Sequence, residues 1–217
     1  MLAVAFIILA TVSAPASVGN ESEVINYLRP ALKYVGGAAR VYYAATCSAE
    51  KDEFGQPSLL FPRVVLQPPS QGATGMAALQ QLFRGDPNVT VTQDRSGMVR
   101  ITIGSVSTEL LQTRFPVLTL DPWDQYSPLA ALLAIESTPE VDTAERRLNV
   151  DPKQGVIDVI VSGRFEGSPH LPGAMQNVTL DEALDSIART FQGILVYGIC
   201  EQPDGEGLFL LNFIDGS

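Results

Sequence analysis

Apolar and polar positions along this chain show the same order of local patterns twice. A stretch with helical spacing of apolar residues is followed by two short strand-like stretches, first over Thr74–Ile103, where apolar and polar residues alternate, and again over Thr179–Phe213, where the strand-like runs are mostly apolar. A period of about 3.6 residues is typical of a helix with one buried face, and alternation is typical of a strand. The pattern therefore predicts two units, each made of a helix and a two-stranded hairpin.

The second unit has the clearer sequence signals. Thr179 and Glu182 have the spacing of a capping box, in which each side chain accepts a hydrogen bond from the other residue's backbone N–H at the start of a helix. Gly193 is a candidate helix end, and Ile194–Cys200 and Leu208–Phe213 then read as strands. The apolar residues of the helix share one face: Leu180, Ala183, Leu184, Ile187, Ala188 and Phe191.

The first unit repeats this order with weaker signals. Thr74 is a candidate N-cap residue, and Val89–Thr92 and Val99–Ile103 read as strands around the turn Asp94–Gly97. The predicted buried stripe of the helix contains Met76, Leu79, Leu82 and Phe83.

The two units align with each other, and a β-rich run precedes each helix, at Val64–Leu66 and at Val159–Val161. We therefore predict an α+β fold of two related βαββ-type units, in which each helix lies on its own three-stranded sheet. Chance similarity is the alternative, since the order strand, helix, hairpin is common among α+β proteins.

The remaining segments complete a division of the chain. Further strands are predicted at Ala39–Thr46 and Arg63–Gln67 with a loop at Ser48–Pro57, and a short helix is predicted at Glu21–Lys33. Helices at Ser127–Glu136 and from Thr138 to Leu148 form a connector. The predicted division is a signal peptide (1–16), a first unit with an N-terminal extension (17–104), a helical connector (105–152) and a second unit (153–217).

The N-terminus predicts export. Leu2–Val12 is apolar but shorter than the roughly 20 residues that span a bilayer. Ala14–Ala16 follows as an Ala-x-Ala sequence, so we predict a signal peptide cleaved after Ala16 and a periplasmic or secreted protein. A membrane anchor or a buried N-terminal strand is the alternative interpretation.

The two cysteines agree with export. Cys47 and Cys200 each follow a strand-like run, and in an oxidising compartment a disulfide between them is expected. Two free buried thiols are the alternative.

Charge limits the classes of partner. Fourteen Lys and Arg against 24 Asp and Glu give a net charge of −10, which argues against binding of nucleic acid or of an anionic membrane surface. A single histidine and the absence of clustered cysteines exclude the common zinc sites. No phosphate-binding glycine motif is present, so no cofactor is predicted.

At Val178–Phe213 the sequence resembles a known family. Thr-Leu-Asp-Glu-Ala-Leu-Asp-Ser-Ile, then Ile-Leu-Val-Tyr and Leu-Phe-Leu-Leu-Asn-Phe, is similar to the secretin and TonB N-terminal short domain. The first unit resembles it more weakly. The resemblance implies a small βαββ-type fold in the periplasm that serves as a docking or signalling module and has no catalytic site.

Few residues are candidates for catalysis. His170 could serve as a base for a cysteine or serine, although its Pro-rich setting favours an exposed loop. Asp121 and Asp124 flank Trp123, which is compatible with a sugar-binding platform or with a turn anchored by a buried tryptophan. Further carboxylates lie close in sequence and read as a cation site, an acid/base pair or a solvated acidic face: Glu136, Glu140, Asp142 and Glu145.

Strand edges are the stronger functional candidates, since an unpaired edge accepts a strand from another chain. The sequence thus favours a non-catalytic exported module with a protein partner in the cell envelope. The alternatives are a carbohydrate-active or other hydrolase near Trp123, and an enzyme inhibitor that presents the loop Ser162–Asn177. The candidate edge residues are Val99, Ile101, Ile103, Phe209, Leu211 and Phe213.

Overall fold

A mixed six-stranded sheet lies at the centre of the molecule and separates two hydrophobic cores. The computed structural model describes residues 18–19, 28, 31, 34, 37–51, 55–153, 167–201 and 205–215. Helices and strands are mixed within one chain, which confirms the predicted α+β class.

The helices are α1 (Gly75–Phe83), α2 (Pro128–Glu136), α3 (Pro139–Leu148) and α4 (Leu180–Phe191), with short 3₁₀ helices at Leu110–Gln112 and Asp124–Tyr126. Leu28, Ala31 and Tyr34 are also helical. The strands are β1 (Val18–Gly19), β2 (Ala39–Ala44), β3 (Thr46–Lys51), β4 (Pro57–Pro62), β5 (Val89–Gln93), β6 (Val99–Ile103), β7 (Arg114–Thr119), β8 (Val150–Pro152), β9 (Ala174–Thr179), β10 (Gly193–Glu201) and β11 (Gly207–Asp215).

Strand β2 lies between the two predicted hairpins. The strand order is β5-β6-β2-β10-β11-β8, and β2 pairs in parallel with both β6 and β10. Each hairpin is antiparallel, and β8 adds three residues in parallel to β11. Strands covered on both faces are apolar along nearly their whole length, and β10 is buried at every position except its last residue.

Helices α1 and α4 lie on opposite faces of this one sheet. Leu79 of α1 packs in the core that contains Val41, whereas Leu184 of α4 packs in the core that contains Tyr42. The prediction of a separate three-stranded sheet under each helix is therefore wrong. The reason is that β2 and β10 are apolar on both faces, so both strands require a layer on each side.

On the α1 face, a small sheet of order β1-β4-β3 covers the central strands. Phe61 of β4 lies so close to β10 that a Cβ atom at Gly198 would be 2.8 Å from its ring. Glycine at position 198 thus allows the two sheets to approach each other.

On the α4 face, α2, α3 and a two-stranded ribbon of β7 and β9 complete the second core. The ribbon buries Phe115, Leu118 and Met175 on its inner side. The two connector helices agree with their predicted positions, and both begin with proline in the first turn, where a missing N–H is tolerated.

Two local predictions in the N-terminal half are wrong. The strand expected at Arg63–Gln67 is irregular, and the loop expected at Ser48–Pro57 contains most of β3. The strand in this region is β4, whose alternating buried residues include Leu59 and Phe61. Prolines at both ends of β4 resemble turn signals, yet a strand tolerates them at its ends.

The predicted signal peptide, the run Val159–Val161 and most of the predicted helix Glu21–Lys33 lie outside the described residues. Among the described residues, no helix is long and apolar enough to cross a membrane.

Candidate functional site

The edge strand predicted in the first unit lies inside the sheet. Val99, Ile101 and Ile103 belong to β6, which is paired on one side with β5 and on the other with β2. Their side chains are at most 2% exposed. The prediction of β6 as an edge is wrong because alternation reveals how deeply a strand is buried and carries no information on its neighbours.

The second predicted edge, β11, is covered over part of its length. Phe209 pairs with Pro152 of β8, and its side chain is fully buried. Leu211 and Phe213 lie beyond the end of β8, so the outer side of β11 is open there within the described residues. Asn212 partly blocks this section, since its Oδ1 accepts the Phe213 N–H at 2.7 Å.

Strand β5 is the more open edge. The Asp94 N–H donates to the Met98 carbonyl at 3.0 Å, and hydrogen-bonded pairs alternate along an antiparallel ladder. Even-numbered residues of β5 therefore bond to β6, and the N–H and C=O groups of Val91 and Gln93 point away from the sheet. Over the part of the chain that is described, these outward groups have no backbone partner.

Polar side chains accompany this edge. Thr90 and Thr92 are exposed, Val91 is half-buried against the α1 core, and Gln93 is exposed. A strand added here would find main-chain donors and acceptors with short hydroxyl side chains beside them. When no such strand is bound, the described residues of this edge expose no large apolar surface.

A cluster of charged side chains that was not predicted from the sequence anchors α4 to β2 and β6. The Arg40 side chain is fully buried, and its Nη1 lies 2.9 Å from Asp185 Oδ1 and 3.1 Å from Asp181 Oδ1. Arg100 of β6 approaches the same two carboxylates, with Nη2 2.6 Å from Asp185 Oδ2. The Tyr42 hydroxyl donates to Asp181 Oδ1 at 3.0 Å and accepts from Arg100 Nη1.

The electrostatics of this cluster suit anchoring. Burial raises the pKa of Tyr42 to about 12, and burial also raises the pKa of Asp185 although Arg40 and Arg100 oppose that rise. Each carboxylate faces two guanidinium groups, so the charges are compensated where water is scarce. Within the described residues, Nε and Nη2 of Arg40 are buried without a partner, which is a position suited to an internal water.

One sequence signal could have revealed this cluster. Arg40 is the single charged residue of a strand that is otherwise apolar or aromatic, and Asp181 and Asp185 are four residues apart on one side of a helix. A charge on a buried strand requires a partner, and residues four apart on a helix project in the same direction.

Cys47 and Cys200 form the predicted disulfide, with a Cα–Cα distance of 5.3 Å. The bond joins β3 of the small sheet to β10 of the central sheet, across 153 positions of sequence. A structural disulfide is typical of proteins in an oxidising compartment, which is compatible with an extracytoplasmic location.

The carboxylates near Trp123 do not converge. Trp123 is 59% exposed in the turn between β7 and α2, so it is not a buried anchor. Asp121 and Asp124 precede α2, and Glu136 is its last residue. A helix of nine residues is about 13 Å long, which places these acids at opposite ends of α2.

Glu136 and Glu145 form a separate pair between α2 and α3. Burial, together with the Glu145 carboxylate, raises the pKa of Glu136 to about 7, and burial also raises the pKa of Glu145. Glu145 Oε1 is buried and has no partner among the described residues. In that same part of the chain, no group of three or more His, Cys, Asp or Glu side chains is arranged to hold a metal ion.

His170 is exposed, as its loop setting favours. Its ring stacks on Tyr126 with 5.3 Å between centroids, and its Nδ1 lies 3.2 Å from the Ser168 carbonyl oxygen. Both cysteines are in the disulfide, so neither is a thiol that His170 could activate. Of the proposed inhibitory loop Ser162–Asn177, residues 162–166 lie outside the described residues and residues 174–177 belong to β9.

Comparison with protein-family models, curated proteins and solved structures finds no match to this chain.

Proposed function

We propose that the chain is an exported, non-catalytic interaction module that binds a protein partner of the cell envelope, in the periplasm or after secretion. The open edge of β5 is the observation that carries this proposal. A docking role is also what the resemblance of Val178–Phe213 to the secretin and TonB short N-terminal domain implies. The Cys47–Cys200 disulfide supports an oxidising compartment.

The occupant that fits the β5 edge is an extended segment of the partner. Val91 and Gln93 each offer one N–H and one C=O on the outer side, so such a segment would continue the sheet by main-chain hydrogen bonds. Each such bond contributes about 0.5–1.5 kcal/mol, so a short segment binds with modest affinity unless side chains add contacts.

The test removes the outward donors and leaves the fold in place. In the double variant Val91→Pro/Gln93→Pro, no ladder bond to β6 is lost, since these N–H groups point outward, a position in which an edge strand tolerates proline. The full oxidised chain, tagged, would capture partners from an envelope extract of the source cell. We expect recovery to fall by about tenfold or more in the double variant, because two main-chain bonds are lost and the ring blocks the approach.

The matched control is Thr90→Ala, which changes an exposed side chain of the same strand and keeps the backbone donors. It should retain the partner. Circular dichroism and the urea midpoint establish that each variant is folded, and the single variant Gln93→Pro replaces the double variant if that one unfolds. A partner retained by a folded proline variant, or no partner alongside turnover of a substrate, would overturn the proposal.

A further inference from the structure

The carboxyl ends of three parallel strands meet at one edge of the central sheet. β6, β2 and β10 are neighbours and run in the same direction, so the residues that follow Ile103, Ala44 and Ile199 lie side by side. The Ala45 N–H donates to the Ile199 carbonyl at 2.8 Å, which holds two of these ends together.

The chain leaves two of these strands toward opposite faces of the sheet. After β2 it enters β3 and β4, whose Leu59 and Phe61 pack in the α1 core. After β6 it enters the 3₁₀ helix whose Leu110 and Leu111 pack in the α4 core. Adjacent parallel strands with connections to opposite faces form a crevice, and in open sheets such a crevice is the usual place for a ligand.

A cavity occupies this position. Its volume is about 450 Å³, within the range of about 300–1,000 Å³ that is typical of small-molecule sites. It is lined by residues 44–46, 105–107 and 199–201. The left-handed backbone at Gly104 (φ +79°) brings the loop after β6 within 2.9 Å of the Ala44 Cβ, measured from a Cβ atom placed on the glycine, so the two walls lie close together at the base.

The polar groups of the lining define the ligand chemistry. Thr46, Ser105 and Ser107 supply hydroxyls, and Glu201 supplies a carboxylate, while the lining residues that the structure describes include no lysine or arginine. A second cavity of about 250 Å³ adjoins it, shares Ser107, Ile199 and Glu201, and adds Glu109. The crevice is therefore rich in acceptors and negatively charged, which favours a ligand that carries an ammonium group.

We propose that this crevice binds a small polar molecule with a primary ammonium group and hydroxyl groups, of the amino-sugar or amino-alcohol class. Glu201 pairs with the ammonium group, and the Ser105, Ser107 and Thr46 hydroxyls exchange hydrogen bonds with the ligand hydroxyls. The proposal is independent of partner docking, since β5 lies at a lateral edge of the sheet and the crevice lies at its carboxyl end.

The test uses the full oxidised chain and three probes: D-glucosamine, its uncharged counterpart N-acetyl-D-glucosamine, and ethanolamine. Each is titrated to about 10 mM, which detects a Kd near 1 mM (about 4 kcal/mol), and amide shifts in ¹H–¹⁵N spectra map the contacts. We expect glucosamine to shift the amides of residues 105–107 and 199–201, with ethanolamine weaker and N-acetylglucosamine weakest.

Glu201→Gln should weaken glucosamine binding by about tenfold or more, because a charge-assisted hydrogen bond is lost. Asp121→Asn is the matched control, since it removes one carboxylate that is not among the described residues lining either cavity, and it should leave the affinity unchanged. The proline variants of β5 should bind glucosamine normally even if they lose the protein partner.

Two outcomes would overturn the proposal. One is the absence of amide shifts around the crevice with any probe. The other is equal affinity for glucosamine and N-acetylglucosamine that Glu201→Gln leaves unchanged, which would mean that the carboxylate does not select an ammonium group.

Discussion

The two helix–hairpin units have the same local order of elements and different surroundings. In the second unit, helix α4 leads into β10, which is paired on both sides and buried over nearly its whole length. In the first unit, helix α1 leads into β5, which is the last strand of the sheet and is largely exposed. The second unit therefore supplies a central strand of the sheet, and, among the described residues, the first unit leaves backbone N–H and C=O groups unpaired at the edge of the sheet.

The two helices are also held in different ways. Helix α4 has twelve residues, a complete capping box and two aspartates in ion pairs with Arg40 and Arg100. Helix α1 has nine residues, and its N-cap residue Thr74 makes no side-chain hydrogen bond. Apolar contacts of Leu79, Leu82 and Phe83 hold α1. The comparison indicates that the shared sequence pattern determines the local elements. The capping box and the ion pairs of α4 then hold that helix more firmly than α1 is held.

The largest expected effect concerns the disulfide, which ties the second unit to the small sheet and has no equivalent in the first. Cys47→Ala/Cys200→Ala should lower the free energy of unfolding by about 5 kcal/mol, the chain-entropy value for a loop closed across 153 positions. Urea unfolding measures the loss. A reductant should destabilise the native protein to the same degree and leave the alanine variant unchanged; a loss below about 1 kcal/mol would contradict the prediction.

The next effect tests whether the charge cluster anchors α4. Arg40→Ala leaves Asp181 and Asp185 short of a buried partner, so we expect a loss of about 3–5 kcal/mol. Arg84→Ala, at the exposed end of α1, should change stability by less than about 0.5 kcal/mol. Similar losses for the two arginines in urea unfolding would remove the proposed distinction between the units.

A smaller effect separates the two helix starts. Thr179→Ala removes the hydroxyl that accepts the Glu182 N–H at 3.2 Å, and should cost about 1 kcal/mol. Thr74→Ala removes no cap bond, so its cost should stay within about 0.5 kcal/mol. Chemical denaturation of both variants provides the comparison, and an equal cost at the two positions would show that Thr74 caps α1 in solution.

The last comparison is a pH dependence of opposite sign in two parts of the molecule, the helix α2 and the turn between β5 and β6. Because the pKa of Glu136 is raised from 4.5 to about 7, the folded protein keeps a proton between these values that the unfolded chain releases. Stability from this group is therefore greatest at low pH and falls as pH rises through that window. Urea midpoints measured across this window follow the change, and Glu136→Gln should abolish it.

Asp94, in the turn of the first hairpin, should behave in the opposite way. A hydrogen bond from Ser96 lowers the pKa of this carboxyl below 3.8, so its contribution is present above that value and is lost as acid protonates it. Asp94→Asn should flatten only the acid side of the stability profile. Urea midpoints measured from pH 2 to pH 8 would show the loss of stability in acid and the loss at higher pH. If Glu136→Gln and Asp94→Asn removed the same one of these two losses, the assignment would be contradicted.

Local sequence patterns predicted the positions of helices and strands better than they predicted which strands pair. Helices α2, α3 and α4 and both hairpins agree with their predicted positions, since caps, periodicity and turn residues are local signals. Strands β7 and β9 were missed. Pro116 lies within the first of them, and its two buried residues, Phe115 and Leu118, are three positions apart, so no alternation marks it as a strand.

Pairing between distant segments was beyond the sequence pattern. The parallel contacts of β2 with β6 and β10 depend on which apolar strands meet, and β-rich runs of similar composition cannot be told apart by periodicity alone. For the same reason the open edge was assigned to β6, when its hairpin partner β5 forms the border. The cystine was predicted as one of two alternatives because spacing does not establish distance.

The position of β2 between β6 and β10 also determines when the central sheet can be completed. Val41 pairs with Ile101 on one side and with Val196 on the other, and a ribosome makes residue 196 long after residue 41. During synthesis and transport, β2 cannot pair with β10 until nearly the whole polypeptide has emerged. Long-range pairing of this kind is slow. A nascent chain halted before β10 would keep Cys47 reduced, so formation of the cystine marks molecules whose translation has passed that point.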